Sequence, residues 1–166
     1  MAVRGWPKAV SWGDFRPIPQ APPGETEDAQ IEPRIDAPSH AQLVREGGQV
    51  RLGSFDLTVR VNPGGSWVVQ GRSRPSLLAH EQGHLDIAGL VAYENHRALE
   101  ALRAGNDAQL AQLIAATRQR MQTKLDALTE KYDRETDHSR NVAQQNTWSQ
   151  LIASCVRNGY RALPDP

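Results

Sequence analysis

Apolar residues recur at three- and four-residue spacing through most of the second half of the chain. That spacing is the mark of helices with one buried face. Ser73-Arg-Pro75-Ser76 reads as a helix start, with proline in the first turn and serine as cap, and the helix is expected to run to about Ala104 and stop at Gly105-Asn106. A second helix begins near Asp107 and carries Leu110, Ile114, Thr117, Met121, Leu125, Leu128 and Tyr132 as one stripe. Core packing is the reading of that stripe. Tyr132-Asp-Arg-Glu-Thr-Asp-His-Ser-Arg140 then breaks the pattern with polar residues, and a third helix follows with Trp148, Leu151, Ile152, Cys155 and Val156, ending at Asn158-Gly159.

The first half is patterned differently. Phe55, Leu57, Val59 and Val61 alternate with Asp56, Thr58 and Arg60, the period of a half-buried strand. Asn62-Pro-Gly-Gly65 signals a turn, after which Trp67-Val-Val69 is expected as the partner strand. Gly47-Gly48 turns an earlier strand into Val50–Leu52. The spacing predicts a small antiparallel sheet over residues 41–72. Residues 1–38 are proline-rich and aperiodic: Val10–Phe15 reads as a short strand, Trp12 and Phe15 as packing residues, and 22–38 as an exposed acidic loop. The expected fold class is α+β, with the sheet followed by three helices. Residues 39–160 form the domain, 1–38 pack on or lead into it, and 161–166 are a tail.

At 166 residues one core is enough, burying roughly 70% of the unfolded surface. Lys+Arg and Asp+Glu balance at 19 each, and the basic residues are scattered without aromatic interleaving, so nucleic acid is not an expected partner. No apolar run approaches the roughly 20 residues a membrane span needs. The N-terminus shows no signal-peptide core. With Cys155 as the one cysteine, an intramolecular disulfide is impossible, and its place on an apolar helical face makes it a small core residue.

Within the first helix, His80-Glu81-Gln82-Gly83-His84 is an H-E-x-x-H pattern. Chance places such a pentapeptide in roughly one of a hundred chains of this composition, before helical surroundings are required. Histidines four apart share a helical face with Cβ atoms roughly 6 Å apart, so both imidazoles reach one Zn²⁺. Glu81 can then lean over the open position and take a proton from bound water.

A catalytic zinc takes three protein ligands, so one must come from elsewhere. Folding the chain back at residues 105–106 sets residue 84 near 127 and 80 near 131, which returns the polar segment 132–140 to His80. His138 is the first choice there, because imidazole suits zinc and the segment can turn inward; Glu135 is the main rival and Asp133 the third. His96 lies roughly 18 Å along the axis from His84 and is excluded. His40 reads as a surface residue, and Asp86 as solvated or capping a neighbour. Tyr132 and Arg140 are the candidate oxyanion donors.

Leu77-Leu-Ala-His-Glu-Gln-Gly-His-Leu-Asp-Ile-Ala88, Tyr132-Asp-Arg-Glu-Thr-Asp-His138, Gln145 and Trp148 together resemble domain-of-unknown-function family 922, a bacterial family described as secreted zinc-dependent proteases. Val10–Phe15 and Ser66-Trp67-Val68 extend the likeness over most of the chain. The resemblance implies a zincin-like helix with His80, His84 and His138 as metal ligands, Glu81 as acid/base, and a secreted or periplasmic location. Ser139 departs from the pattern, standing where glycine is expected.

The function this predicts is zinc-dependent hydrolysis of a peptide bond in a peptide or protein substrate, with an extended substrate added to the edge of strand 55–61 or 67–69. Two alternatives stand beside it. One is a binding or scaffolding module whose zinc only pins the helices together, with four protein ligands. The other is a metal-free interaction module using helix 107–134. Glu81, which a structural site does not require, favours hydrolysis.

Overall fold

The computed structural model describes residues 2–166; the first residue of the N-terminal segment, Met1, lies outside the described residues. Among the described residues eight short strands precede three long helices: β1 (Val3–Arg4), β2 (Arg16–Ile18), β3 (Ala29–Gln30), β4 (Pro33–Ile35), β5 (Leu43–Glu46), β6 (Gln49–Leu52), β7 (Leu57–Val61), β8 (Trp67–Val69), α1 (Pro75–Glu100), α2 (Asp107–Thr136) and α3 (Val142–Arg157). The fold is α+β, as the patterning predicts.

The strands form three small sheets rather than the single antiparallel one expected. β7 lies between β1, which it meets in parallel, and β4, which it meets antiparallel. β8 lies between parallel β2 and antiparallel β3. β5 and β6 make a separate hairpin across Gly47-Gly48, both with positive φ, as the glycine pair predicts. The expected pairing of 55–61 with 67–69 is therefore wrong: the two strands flanking Asn62-Pro-Gly-Gly65 enter different sheets. The proline-rich segment explains why. It supplies β1 to β4, so its strands, and not each other, are the partners of β7 and β8. Residues 29–30 and 33–35 are thus strand where an exposed loop was expected. Within Val10–Phe15 only a single 3₁₀ turn forms, at Trp12–Asp14, with the strand following at Arg16.

Helix α1 is the core element. Its buried positions include Leu77, Leu85, Ile87, Ala88, Leu90, Val91 and Ala92, apolar on nearly every side, as befits a helix covered by α2, α3 and the strands together. It ends at Glu100, four residues before the predicted stop, and residues 101–106 turn the chain into α2 while Ala104 bridges back to Val50. Asn106 caps α2 by accepting from the Gln109 amide at 2.9 Å. Two close approaches fix α1 in place. Gly89 makes room for the Trp6 indole and Gly83 for the Tyr132 phenol, and a methyl group at either would overlap the ring.

Helix α2 continues to Thr136, four residues beyond the predicted end of its stripe, because Thr136 extends the buried series Met121, Leu125, Leu128, Tyr132 by one more turn. Asp137, His138 and Ser139 then follow in left-handed conformation, with φ of 47°, 48° and 78°. Ser139, where the sequence reading expects glycine, thus holds a backbone conformation that glycine adopts at less cost. Asn141 caps α3 through the Gln144 amide.

Candidate metal centre

The core carries an unusual polar island. His80 and Glu81 are each 1% exposed and His84 is 7% exposed, on the α1 face turned to α2. His84 Nε2 lies 3.2 Å from His80 Nε2, and Asp133 Oδ1 lies 3.1 Å from the first histidine's Nε2 and 2.9 Å from the second's. Asp133 projects from the last turns of α2, one residue after the Tyr132 that locks α2 against Gly83. The antiparallel fold-back thus delivers residue 133 to the histidines, as the turn at 105–106 predicts. The residue it delivers most closely is the third-ranked candidate.

The hydrogen bonds around His80 assign its tautomer. The His80 carbonyl can only accept, so the Tyr132 hydroxyl donates to it, at 3.1 Å. The phenol oxygen then accepts from Gln145 Nε2 at 2.6 Å, which turns Gln145 Oε1 toward His80 Nδ1 at 3.2 Å. An amide oxygen needs a donor, so Nδ1 carries the ring proton and the Nε2 lone pair points at His84 and Asp133. Stacking of the Tyr132 ring on His80, 4.7 Å between centroids and 10° apart in plane, holds the imidazole flat in this pose.

Two imidazole nitrogens and a carboxylate oxygen therefore converge on one point. A proton on His84 Nε2 can bridge only part of this set; a divalent cation satisfies all three. Tetrahedral zinc with bonds of 2.0–2.1 Å separates its ligands by about 3.3–3.4 Å. The three separations here are within a few tenths of an ångström of that. The donor set fits zinc.

Ionisation follows the same geometry. Burial would raise the Asp133 carboxyl, but the His80 and His84 imidazoles set against it prevail and hold it well below the usual range. Burial would lower His84, but Asp133 beside it prevails and raises it. Burial pushes Glu81 up, against the pull of the two histidines and of the Ile31 amide. Burial likewise takes Glu27 up to about 6.

Glu81 sits beside the triad, with Oε2 accepting from the backbone N–H of Ile31 at 2.8 Å; among the described residues Oε1 has no hydrogen-bond partner. It lines a cleft of about 590 Å³ together with His84, Asp133 and Glu27, and the cleft runs out between β4 and α2 past Pro33, Ile35 and Leu125. β4 is an edge strand. Asp36 N–H donates to the Thr58 carbonyl and Asn62 N–H to that of Glu32, so the backbone groups of 32, 34 and 36 face β7. By alternation those of 31, 33 and 35 face away from it, and the Ile31 amide meets Glu81 there. The free edge is thus β4, not 55–61 or 67–69, each of which lies between two partners.

The other candidates fall as follows. His138 stands next to the triad: its Nδ1 is 2.8 Å from Glu27 Oε1 and 3.8 Å from Asp133 Oδ1, and its ring centroid is 6.5 Å from that of His80. Glu135 accepts from the Trp148 indole at 2.8 Å, away from the histidines. Tyr132 is fully buried, and its one proton is given to the His80 carbonyl, which makes it a positioning residue in this arrangement rather than an oxyanion donor. Arg140 is exposed and pairs with Asp137. His96 packs on Phe55 and contacts its carbonyl, His40 is exposed, and Asp86 accepts from the Trp6 indole and from Gln82. Sequence reasoning gave no role to Glu27 or to the Ile31 amide. Gln145 carried a legible signal, since it precedes Trp148 by three residues on the inward face of α3.

Residues 67–139 match a family model described as "Bacterial protein of unknown function (DUF922)". The matched stretch runs from β8 through the left-handed loop, and so includes His80, Glu81, His84, Asp133 and His138; Glu27 and Gln145 lie outside it. No curated protein and no solved structure matches the chain significantly. Among the described residues no helix is long and apolar enough to cross a membrane.

Proposed function

We propose that the protein is a zinc-dependent peptidase with a zincin-like helix, acting on extended peptide segments, in a secreted or periplasmic setting. The observation that carries this reading is the buried carboxylate of Glu81 beside three converging metal donors, at the inner end of an open cleft. A site that only pins helices together closes its coordination with a fourth protein ligand and has no use for such a group.

His80, His84 and Asp133 would hold the zinc. Bound there, zinc supplies Lewis acidity, lowering the pKa of water toward about 7 and polarising a carbonyl. Everything else falls to the chain. Glu81 receives a proton at Oε1 while the Ile31 amide anchors Oε2, and its raised affinity for protons suits a general base working near neutrality. Gln145, Tyr132 and Thr136 keep the His80 ring proton on Nδ1, away from the metal side. The outward carbonyls of Pro33 and Ile35 and the Ile35 amide offer a strand-like substrate an edge to pair with, along the cleft that Glu81 also lines. The test is cleavage of a mixed-sequence peptide pool by zinc-loaded protein. Cleavage that vanishes in Glu81→Gln at unchanged zinc content supports the peptidase reading. Equal cleavage in the variant, or none by the wild-type protein on any peptide in the pool, defeats it.

A further inference from the structure

One zinc at His80, His84 and Asp133 leaves donors unused on its flank. Glu27, Asp133 and His138 each offer an atom, and the three atoms lie within 4.8 Å of one another. They come from separate elements: the β2–β3 connection, the last turns of α2, and the left-handed loop after it. His138 Nδ1 is the telling atom. It is wholly inaccessible yet makes no hydrogen bond. Glu27 Oε1 is only 2.8 Å away, but off the axis that an N–H donor requires.

We propose that a second divalent cation binds here, held by Glu27, His138 and Asp133, so that the Asp133 carboxylate bridges two ions. The proposal rests on the metal centre described above. A cation between Nδ1 and the two carboxylates bonds along each lone pair, which resolves the close but misdirected approach of His138 to Glu27. One imidazole with two carboxylates suits zinc or manganese, with water completing the shell. Charge points the same way. Glu27, Glu81 and Asp133 crowd one end of the cleft, and among the described residues no lysine or arginine pairs with any of them. A single divalent ion leaves three carboxylates undercompensated; two ions do not. Carboxylate-bridged pairs of this kind hold their ions about 3.5–4 Å apart and clamp the attacking and leaving groups between them. The chain holds His138 in position at some conformational cost. The amides of both Asp137 and His138 donate to the Asp133 carbonyl, so the loop that carries one ligand is tied to the residue that supplies the bridge.

The experiment is equilibrium dialysis of the full chain against buffered free zinc, with metal content read per chain, on the wild type, Glu27→Gln and His138→Ala. The result expected is two ions in the wild type and one in each variant, the remaining ion held as tightly as the tighter wild-type ion. Cobalt substitution gives a second readout: spin coupling in the doubly loaded wild type that Glu27→Gln abolishes. One ion at saturation in the wild type, unchanged by Glu27→Gln, overturns the second site while leaving the first intact. A single ion whose affinity collapses in His138→Ala also overturns it, because His138 then completes the first site. No ion in any of the three removes both.

Discussion

Replacing Tyr132 by phenylalanine separates two roles for the same hydroxyl. The oxygen gives its proton to the His80 carbonyl at 3.1 Å and accepts from Gln145 at 2.6 Å, in a side chain with no measurable exposure. Removing it deletes two hydrogen bonds of about 1 kcal/mol net each. The carbonyl lies within α1, and Gln145 is only half-buried and can turn to water, so the penalty for stranded partners is small. A loss of about 2 kcal/mol follows, or roughly 4–8 °C in Tm for a chain this long. The larger consequence is at the metal. Without the phenol, nothing obliges Gln145 to present its oxygen to Nδ1, and only the longer 3.4 Å contact with Thr136 still selects the tautomer that frees Nε2. Losing such an outer partner weakens metal binding roughly 10–100-fold. Urea unfolding of the metal-free protein measures the first effect, and zinc competition against a chromophoric chelator the second. If Tyr132→Phe binds zinc as tightly as the wild type and loses only turnover, the hydroxyl acts on substrate and the positioning role assigned to it is wrong.

Gly83→Ala forces a methyl into the Tyr132 ring, and overpacking of this kind costs about 1–3 kcal/mol; a urea midpoint equal to wild type contradicts the packing described. Gln145→Leu keeps the bulk of α3 but not the amide, and is expected to weaken zinc in the chelator assay by the same 10–100-fold as Tyr132→Phe, with the double variant no worse than either. Glu27 concerns pH. Its carboxyl titrates near 6 in the folded chain, above its ordinary 4.5, so the metal-free protein loses stability as pH rises from about 4.5 through 6, by up to about 2 kcal/mol. In metal-free Glu27→Gln that loss is expected to vanish, leaving the variant more stable at pH 7, and denaturant midpoints across pH 4–8 check it. Asp133 acts in the opposite sense: held below its ordinary range, it stabilises above about pH 4 and that stability drains away as pH falls further, so metal-free Asp133→Asn is expected to show a shallower acid limb in the same series.

The helices were legible because each buries a long stripe. Seven residues from Leu110 to Tyr132 set α2 without help from distant parts of the chain, and Gly105-Asn106 gave the fold-back that brings residues 80 and 132–133 together. The sheets were not. β1 to β4 are two or three residues long, two of them contain proline, and their partners lie 24 to 54 positions away, as in Ile35 with Val59 or Val3 with Leu57. No local period can announce such a strand. His80, Glu81 and His84 stood out from spacing alone. The choice among Glu135, Asp133 and His138 turned on one helical turn: the polar run after Tyr132 reads as loop, yet Thr136 is buried and carries the helix on, and this leaves Asp133 rigid beside the histidines. Glu27 had no signal at all, since nothing within the acidic stretch 25–28 marks which carboxylate turns inward.

The most direct test is the coordination shell of the zinc-loaded protein, read from its anomalous scattering in a crystal. A zinc ion bonded at 2.0–2.2 Å to His80 Nε2, His84 Nε2 and Asp133, with Glu81 close by but unbonded, is the result predicted. Zinc elsewhere, or a shell closed by Glu81 itself, contradicts it.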